Sequence, residues 1–261
     1  MKIRYAEPSD AEVIVSLTAA GFRKELLNAM IYGCNGIVNF LKLQISIPLK
    51  ISDTIYIVAE IDEIVVGFVE FKIYPENIFL NYIGTSKQVR HKGLATKLLG
   101  KSVLMLRTKY HKRMTLDVFS DNVVAKSWYE KLGFTEEYNA GWYKIVQKEV
   151  DEGGCLQGKL SGYSQSSCCY DEFGFSHFNI TTAAGNYNVG MLGEEWFRVT
   201  EIELLFDYAA LSCLNSIDSS RSILGLFNEI DQSKIPVDAV CFCRSIRMSI
   251  PLDMFEINIF Y

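Results

Sequence analysis

Three β-rich runs within residues 54–83, followed at once by a basic loop bearing a glycine, leave this chain few architectures. Residues 54–60 and 64–73 are dense in Ile, Val, Tyr and Phe, and a polar Asp62-Glu63 turn separates them, the pattern of a hairpin. Residues 77–83 extend it as a third strand. The segment Gln88-Val89-Arg90-His91-Lys92-Gly93-Leu94-Ala95 then stands before a helix starting about Leu94, with Leu98, Leu99, Ser102, Val103 and Leu106 on its buried side. Residues 115–119 read as a strand, 123–132 as a helix stopped by Gly133, and 142–147 as a late strand. Upstream, Ser9-Asp10-Ala11-Glu12 has the spacing of a capping box. Residues 24–43 form a second helical region that Gly33 and Gly36 weaken or divide. Phe22, Leu26, Met30 and Phe40 around it suit an acceptor pocket or a core equally. The order predicts an α/β fold, a mixed twisted sheet flanked by helices.

Charge divides the chain. Residues 1–150 carry 20 basic and 16 acidic side chains, whereas 151–261 carry 6 and 15. The expected organisation is a first domain over 1–150 and a smaller, acidic α/β domain over 151–261, with the boundary in the Glu-, Asp- and Gly-rich stretch 148–160. In the second region, residues 163–171 have loop character, and 175–180, 187–192, 223–227 and 240–250 read as strands. Residues 200–214 read as a helix with an apolar stripe of Ile202, Leu205, Phe206, Ala209 and Cys213.

No apolar run reaches the roughly 18–20 residues that span a bilayer. The amino terminus lacks the apolar segment of a secretory signal, so a cytoplasmic protein without membrane partners is expected. Seven cysteines, an odd number, fit reduced thiols. Cys168-Cys169 and Cys241-x-Cys243 lack zinc-site spacing, and no metal is expected. Residues 87–113 hold nine Lys or Arg and no acid, which suits nucleic acid, membrane or a phosphorylated small molecule. The acidic remainder argues against nucleic acid.

The basic loop has the chemistry for a pyrophosphate. Backbone N–H groups at a helix start can surround an anion, Gly93 permits close approach, and Ala95 keeps the first turn low. Arg90 and Lys92 add charge, or Arg90 braces the loop, while His91 reads as a solvent-facing neighbour. An ordinary basic turn before an amphipathic helix is the alternative. A Walker A ending is absent, and the glycine pair of a dinucleotide fingerprint is missing. Downstream, Ala125 and Tyr129 share a helical face, and Asn122 sits at the helix mouth as cap or ligand contact. Tyr129 and Phe134 equally suit packing on the sheet.

Together, Arg90-His91-Lys92-Gly93-Leu94-Ala95 and the series Asn122, Ala125, Tyr129, Gly133, Phe134 resemble the GNAT superfamily of N-acetyltransferases, over residues 1–147. The resemblance implies acetyl-CoA as co-substrate, lying in a split between the strands at 77–83 and 115–119. Tyr82, Ile83 and Gly84 would lie by the thioester, Gln88 through Ala95 by the pyrophosphate, and Asn122, Ala125 and Tyr129 beside them. It further implies direct acetyl transfer to a neutral amine, with Tyr129 protonating or hydrogen-bonding the departing thiolate. Many family members carry an acid on the strand before the coenzyme loop, yet residues 77–83 contain none. Asn81 can only orient a water. Glu70 and Asp117, on neighbouring strands, are the substitute bases, and each equally suits a surface or capping role.

The expected acceptor is a small-molecule primary amine. A protein or peptide acetyltransferase and an inactive acyl-CoA-binding sensor are the alternatives. The second region suits a degenerate copy of the same fold, a different small α/β domain, or an element for homodimerisation. Its Glu194-Glu195 pair stands where a phosphate would need neutralising, so a second coenzyme site is not expected.

Overall fold

A computed structural model of the chain describes residues 1–89, 93–148, 158–228 and 234–255. Two compact units interleave along the sequence. The first takes Met1–Arg23, Val38–Glu137 and the chain from Ile246 onward; the second takes Lys24–Ile37 and Tyr138–Ser245. The linear cut near residue 150 therefore does not follow the packing.

In the first unit, β1 (Lys2–Tyr5), β2 (Thr54–Ile61), β3 (Ile64–Ile73), β4 (Asn77–Thr85) and β5 (Arg113–Phe119) lie side by side in that order. The first four pair antiparallel. Between β4 and β5 the chain crosses over through helix α4 (Leu94–Leu106), so these two strands run parallel. The Asp62-Glu63 turn takes positive φ at both residues, as a tight hairpin turn demands. Helix α1 (Ala11–Ala19) covers one face, and α4 with α5 (Val123–Lys131) covers the other. The α4 face holds a core in which Val69, Phe71, Leu80, Leu98, Leu99 and Leu116 are almost wholly buried.

That core is completed from the far end of the chain. Strand β12 (Val240–Pro251) contributes residues 246–251 beside β5. Leu252 N–H donates to the Lys112 carbonyl, and the Arg247 guanidinium grips Asp117, which sets the direction as antiparallel. Met248, Ile250, Leu252 and Phe255 are at most 2% exposed in this cluster, and Phe255 meets the Phe134 ring edge-on.

Two local readings shift. Asp10, rather than Glu12, closes the first helical turn: its carboxylate accepts from the Glu7 N–H and from Arg4, whose charge reinforces the arrangement. The region 24–43 is divided at its glycines into α2 (Lys24–Asn28), a 3-10 turn (Ile31–Gly33) and α3 (Ile37–Ser46). Leu26 and Met30 of this region are buried.

The second unit has the strand order β7 (Lys159–Ser161), β8 (Phe175–Thr181), β9 (Asn186–Leu192), β10 (Trp196–Val199), β11 (Ser222–Asn228), then residues 140–146 of β6 (Thr135–Val146). Here too the meander is antiparallel and the β10–β11 pair is parallel, and the last strand, residues 140–146, precedes the meander in sequence. Residues 163–171 form helix α6 (Tyr163–Phe173) rather than a loop, held between left-handed Gly162 and Gly174. The helix expected over 200–214 breaks at Asp207 into a 3-10 turn (Ile202–Phe206) and α7 (Tyr208–Asp218).

Phe255→Ala removes a fully buried ring from the first unit and is expected to cost about 3–5 kcal/mol in a urea melt. Val237→Ala, at a fully exposed position, should stay within about 0.5 kcal/mol of the parent.

Candidate active site

The site is built on a failure of pairing. β4 and β5 are in register only through Asn77–Leu80 and Arg113–Leu116, although β4 runs on to Thr85 and β5 to Phe119. On its other side β4 stays paired to β3 up to Gly67↔Thr85. A register shift between Glu70 and Phe71 leaves Asn81 as the extra residue of a bulge, because Glu70 faces Tyr82 and Phe71 faces Leu80. A bulge bends its strand and increases its twist, so β4 swings away from β5 where the bulge occurs. The result is a forked pair of strands whose inner edge on β4, from Asn81 onward, has no strand partner among the described residues.

The bulge also sorts side chains. Val69, Phe71 and Leu80 point to the α4 face, so the alternating Glu70 and Asp117 point to the α1 face. Asn81 and Tyr82 both fall on that face, and the Asn81 amide donates to Glu70 Oε1. Glu70 is 2% exposed, an acid set into the root of the fork. Asp117 is differently placed: Arg247 donates to both of its oxygens, at 2.5 and 2.9 Å, and stacks over Phe79. Of the two candidate bases, Asp117 is committed as one half of a bidentate brace.

The opposite face holds the coenzyme-type features. Of the loop residues, Arg90, His91 and Lys92 lie outside the described residues. Gln88 and Val89 end a short 3-10 turn, with the Gln88 N–H bound to Ser86 Oγ at 3.3 Å. Gly93 heads α4 in the left-handed region, φ 71°, a conformation that disfavours any side chain. No side chain caps this helix, and the amides of Leu94, Ala95 and Thr96 meet no acceptor among the described residues. The dipole and the first amides of this thirteen-residue helix have the chemistry that suits an anion. Gly84 on β4 is needed for another reason: an added Cβ would meet the Phe68 ring at 2.7 Å. Tyr82 and Ile83 stand on the same outgoing arm.

Asn122 acts as the cap of α5, its Oδ1 accepting from the Ala125 N–H at 3.2 Å, while Ala125 packs on the core. Tyr129 lies one turn further along, 6% exposed, between the rings of Trp128 (4.8 Å) and Phe134 (5.6 Å). Burial pushes its phenol well above the usual range, so it holds its proton at ordinary pH. No hydrogen bond to its hydroxyl occurs among the described residues. Sequence reasoning missed Trp128, whose indole N–H donates to Thr96 Oγ1 at 3.0 Å and ties α5 to the first turn of α4. It also left Phe22 undecided. That ring stands edge-on to Tyr82 (6.2 Å) and Phe119 (5.9 Å), bridging the two arms of the fork on the α1 face.

Residues 38–134 match the family model described as Acetyltransferase (GNAT) family. The matched residues all fall within the first unit. The chain is similar along 96% of its length to a tandem GNAT protein from the clavulanic acid biosynthesis pathway (10% identity, 98% of that chain, TM-score 0.63). It is likewise similar to a GCN5-related N-acetyltransferase from Sphaerobacter thermophilus (10% identity, 96% of this chain and 95% of that one, TM-score 0.59). A putative acetyltransferase from Pyrococcus horikoshii is a third (15% identity, 96% and 89%, TM-score 0.58). At these identities the likeness is one of fold. No curated protein matches the chain.

In the second unit the segment that follows β10 has other chemistry. Ile202 and Leu204 are buried there, and Asp207 occupies the head of α7, accepting from the Ala209 and Ala210 amides and from Thr182. Burial pushes the Asp207 carboxyl up, but the hydrogen bonds from Thr182, Ala210, Tyr187 and Ala209 outweigh it and hold it below the usual range. Among the described residues no group of three or more His, Cys, Asp or Glu is placed to hold a metal, and no helix is long and apolar enough to cross a membrane.

Asn81→Asp tests the bulge pair. It replaces a donor by a second carboxylate beside buried Glu70, raising one folded-state pKa above its unfolded value. Stability should then fall by about 1–3 kcal/mol at neutral pH and recover as the pH drops toward 4–5. An unchanged urea midpoint at pH 7 would show that the contact does not matter.

Proposed function

We propose that the first unit is an acyl-CoA-dependent N-acyltransferase that moves an acetyl group from acetyl-CoA to a primary amine of a small molecule. The observation that carries this reading is the end of the β4–β5 ladder at Leu80↔Leu116, in a unit whose helix α4 has no side-chain cap and whose Tyr129 is buried. Backbone groups at Tyr82, Ile83 and Gly84 suit an amide-bearing pantetheine arm. The amides from Gly93 to Thr96 suit a pyrophosphate, with Lys87 and Lys97 exposed nearby in sequence. The donor set fits the group.

Acetyl-CoA supplies an activated thioester; the protein positions it and manages protons. The fork opens the sheet between Glu70, on the α1 face, and Tyr129, on the α4 face. Glu70 is the preferred base, accepting the proton that the attacking amine loses. As the new C–N bond forms and the C–S bond breaks, the Tyr129 phenol delivers its proton to the sulfur and regains one from solvent. Asp117 serves as a brace. The second unit is read as a degenerate copy of the same fold, a reading supported by its identical strand order. Asp207 already fills the place a phosphate would need, so one coenzyme per chain is expected.

Turnover of an amine panel with acetyl-CoA, followed by free thiol and product mass, tests the activity. Tyr129→Phe is expected to lower kcat about 100-fold with little change in KM for acetyl-CoA. Because burial raises the phenol, no alkaline loss of kcat from Tyr129 should appear below about pH 10. Equal kcat in parent and variant would remove Tyr129 from the chemistry.

A further inference from the structure

The α1-face mouth of the fork has a composition that selects among amines. Three aromatic rings meet there: Phe22, from the link after α1, with Tyr82 on one arm and Phe119 on the other, at interplanar angles of 88° and 84°. The carboxylates that flank Phe119 in sequence are both neutralised. Asp117 is held by Arg247, and Asp121 is held by Arg23 at 2.8 Å. Arg23 directly follows Phe22, so its ion pair also ties this link to the turn after β5. Glu70, facing Tyr82 across β3 and β4, is the acid at the root of this mouth.

This balance disfavours a polycation. An acceptor with several ammonium groups, such as a polyamine or an aminoglycoside, needs several carboxylates to replace its hydration. Two of those in this mouth are already compensated by arginines. Perpendicular rings, in contrast, present both faces and edges to a flat apolar body, and a ring face attracts a single ammonium as it approaches. Resting on the acetyltransferase reading of the same fork, we infer that the acceptor is a primary monoamine with an aromatic or compact aliphatic body, and that Phe22 is its specificity-determining residue. Phe22 covers the body while the amine nitrogen reaches past it toward Glu70.

The test compares arylalkylamines such as 2-phenylethylamine and tryptamine with spermidine, an aminoglycoside and a lysine-bearing peptide, using the full chain and acetyl-CoA. The expected result is a kcat/KM for the arylalkylamines at least about tenfold above the polycations and the peptide. Phe22→Ala should lower that advantage about tenfold or more, and Phe22→Leu by less, with the acetyl-CoA dissociation constant and the thermal midpoint close to the parent's. Preference for a polycation or the peptide, no arylalkylamine turnover by protein that binds acetyl-CoA, or an unchanged preference in both variants would overturn the inference. A parent chain that does not bind acetyl-CoA at all, by calorimetry, would instead sink the acetyltransferase reading beneath it.

Discussion

The extra residue at Asn81 is the constraint from which the site follows. A regular β4 would stay in register with β5 and close the sheet, leaving no backbone for a ligand. With the bulge, β4 keeps its ladder to β3 and gives up its ladder to β5 beyond Leu80. Backbone groups released in this way must find water or another partner, since buried and unpaired they are costly. The end of the ladder is therefore a structural liability that a ligand with amide groups would suit. The same distortion places Asn81 and Tyr82 on one face, and this brings an amide to Glu70 and a ring to Phe22. Cleft, acid and aromatic mouth share one cause.

The fork can persist only if β5 is held from its far side. Strand β12 does this, through the Leu252–Lys112 bond and the Arg247–Asp117 brace, and its apolar side chains close the α4-face core. The first unit thus depends on the final stretch of the chain. Folding must join segments more than 100 residues apart, as in the 130-residue separation of Arg247 and Asp117. Such contacts carry a loop-closure cost and slow folding, but they couple the integrity of the site to that of the whole chain.

What could be read in advance was whatever depends on local pattern. Alternating Ile, Val and Phe located β2, β3 and β4; the glycine before Leu94 located the head of α4; the four-residue spacing of Ala125 and Tyr129 located the inward face of α5. The features missed depend on partners distant in sequence. Residues 163–171, rich in Ser and Cys, look like a loop, yet their helix is pinned by Tyr170, whose hydroxyl donates to the Gly193 carbonyl and accepts from Arg221. Asp117 looked like a substitute base beside Glu70 because nothing near it in sequence announces Arg247. Phe22 looked equally like core or pocket, and only the divergence of two strands gives it a place between Tyr82 and Phe119. The cut near residue 150 followed a change in charge, and charge reports on surface rather than on which strands complete a core.

The two units make the separation of fold from chemistry concrete. Both run an antiparallel meander into a parallel pair and add a last strand beside it that does not follow directly in sequence. They differ at the helix that joins the parallel strands. In the first unit that helix starts at a glycine, which has no side-chain acceptor for the first amides. In the second it starts at Asp207, whose carboxylate is already hydrogen-bonded to those amides and to Thr182. An internal anion stabilises the helix in the absence of ligand and, by the same bonds, repels a phosphate. One residue type at one position, on a common strand order, is enough to separate a helix without a side-chain cap from one that satisfies itself.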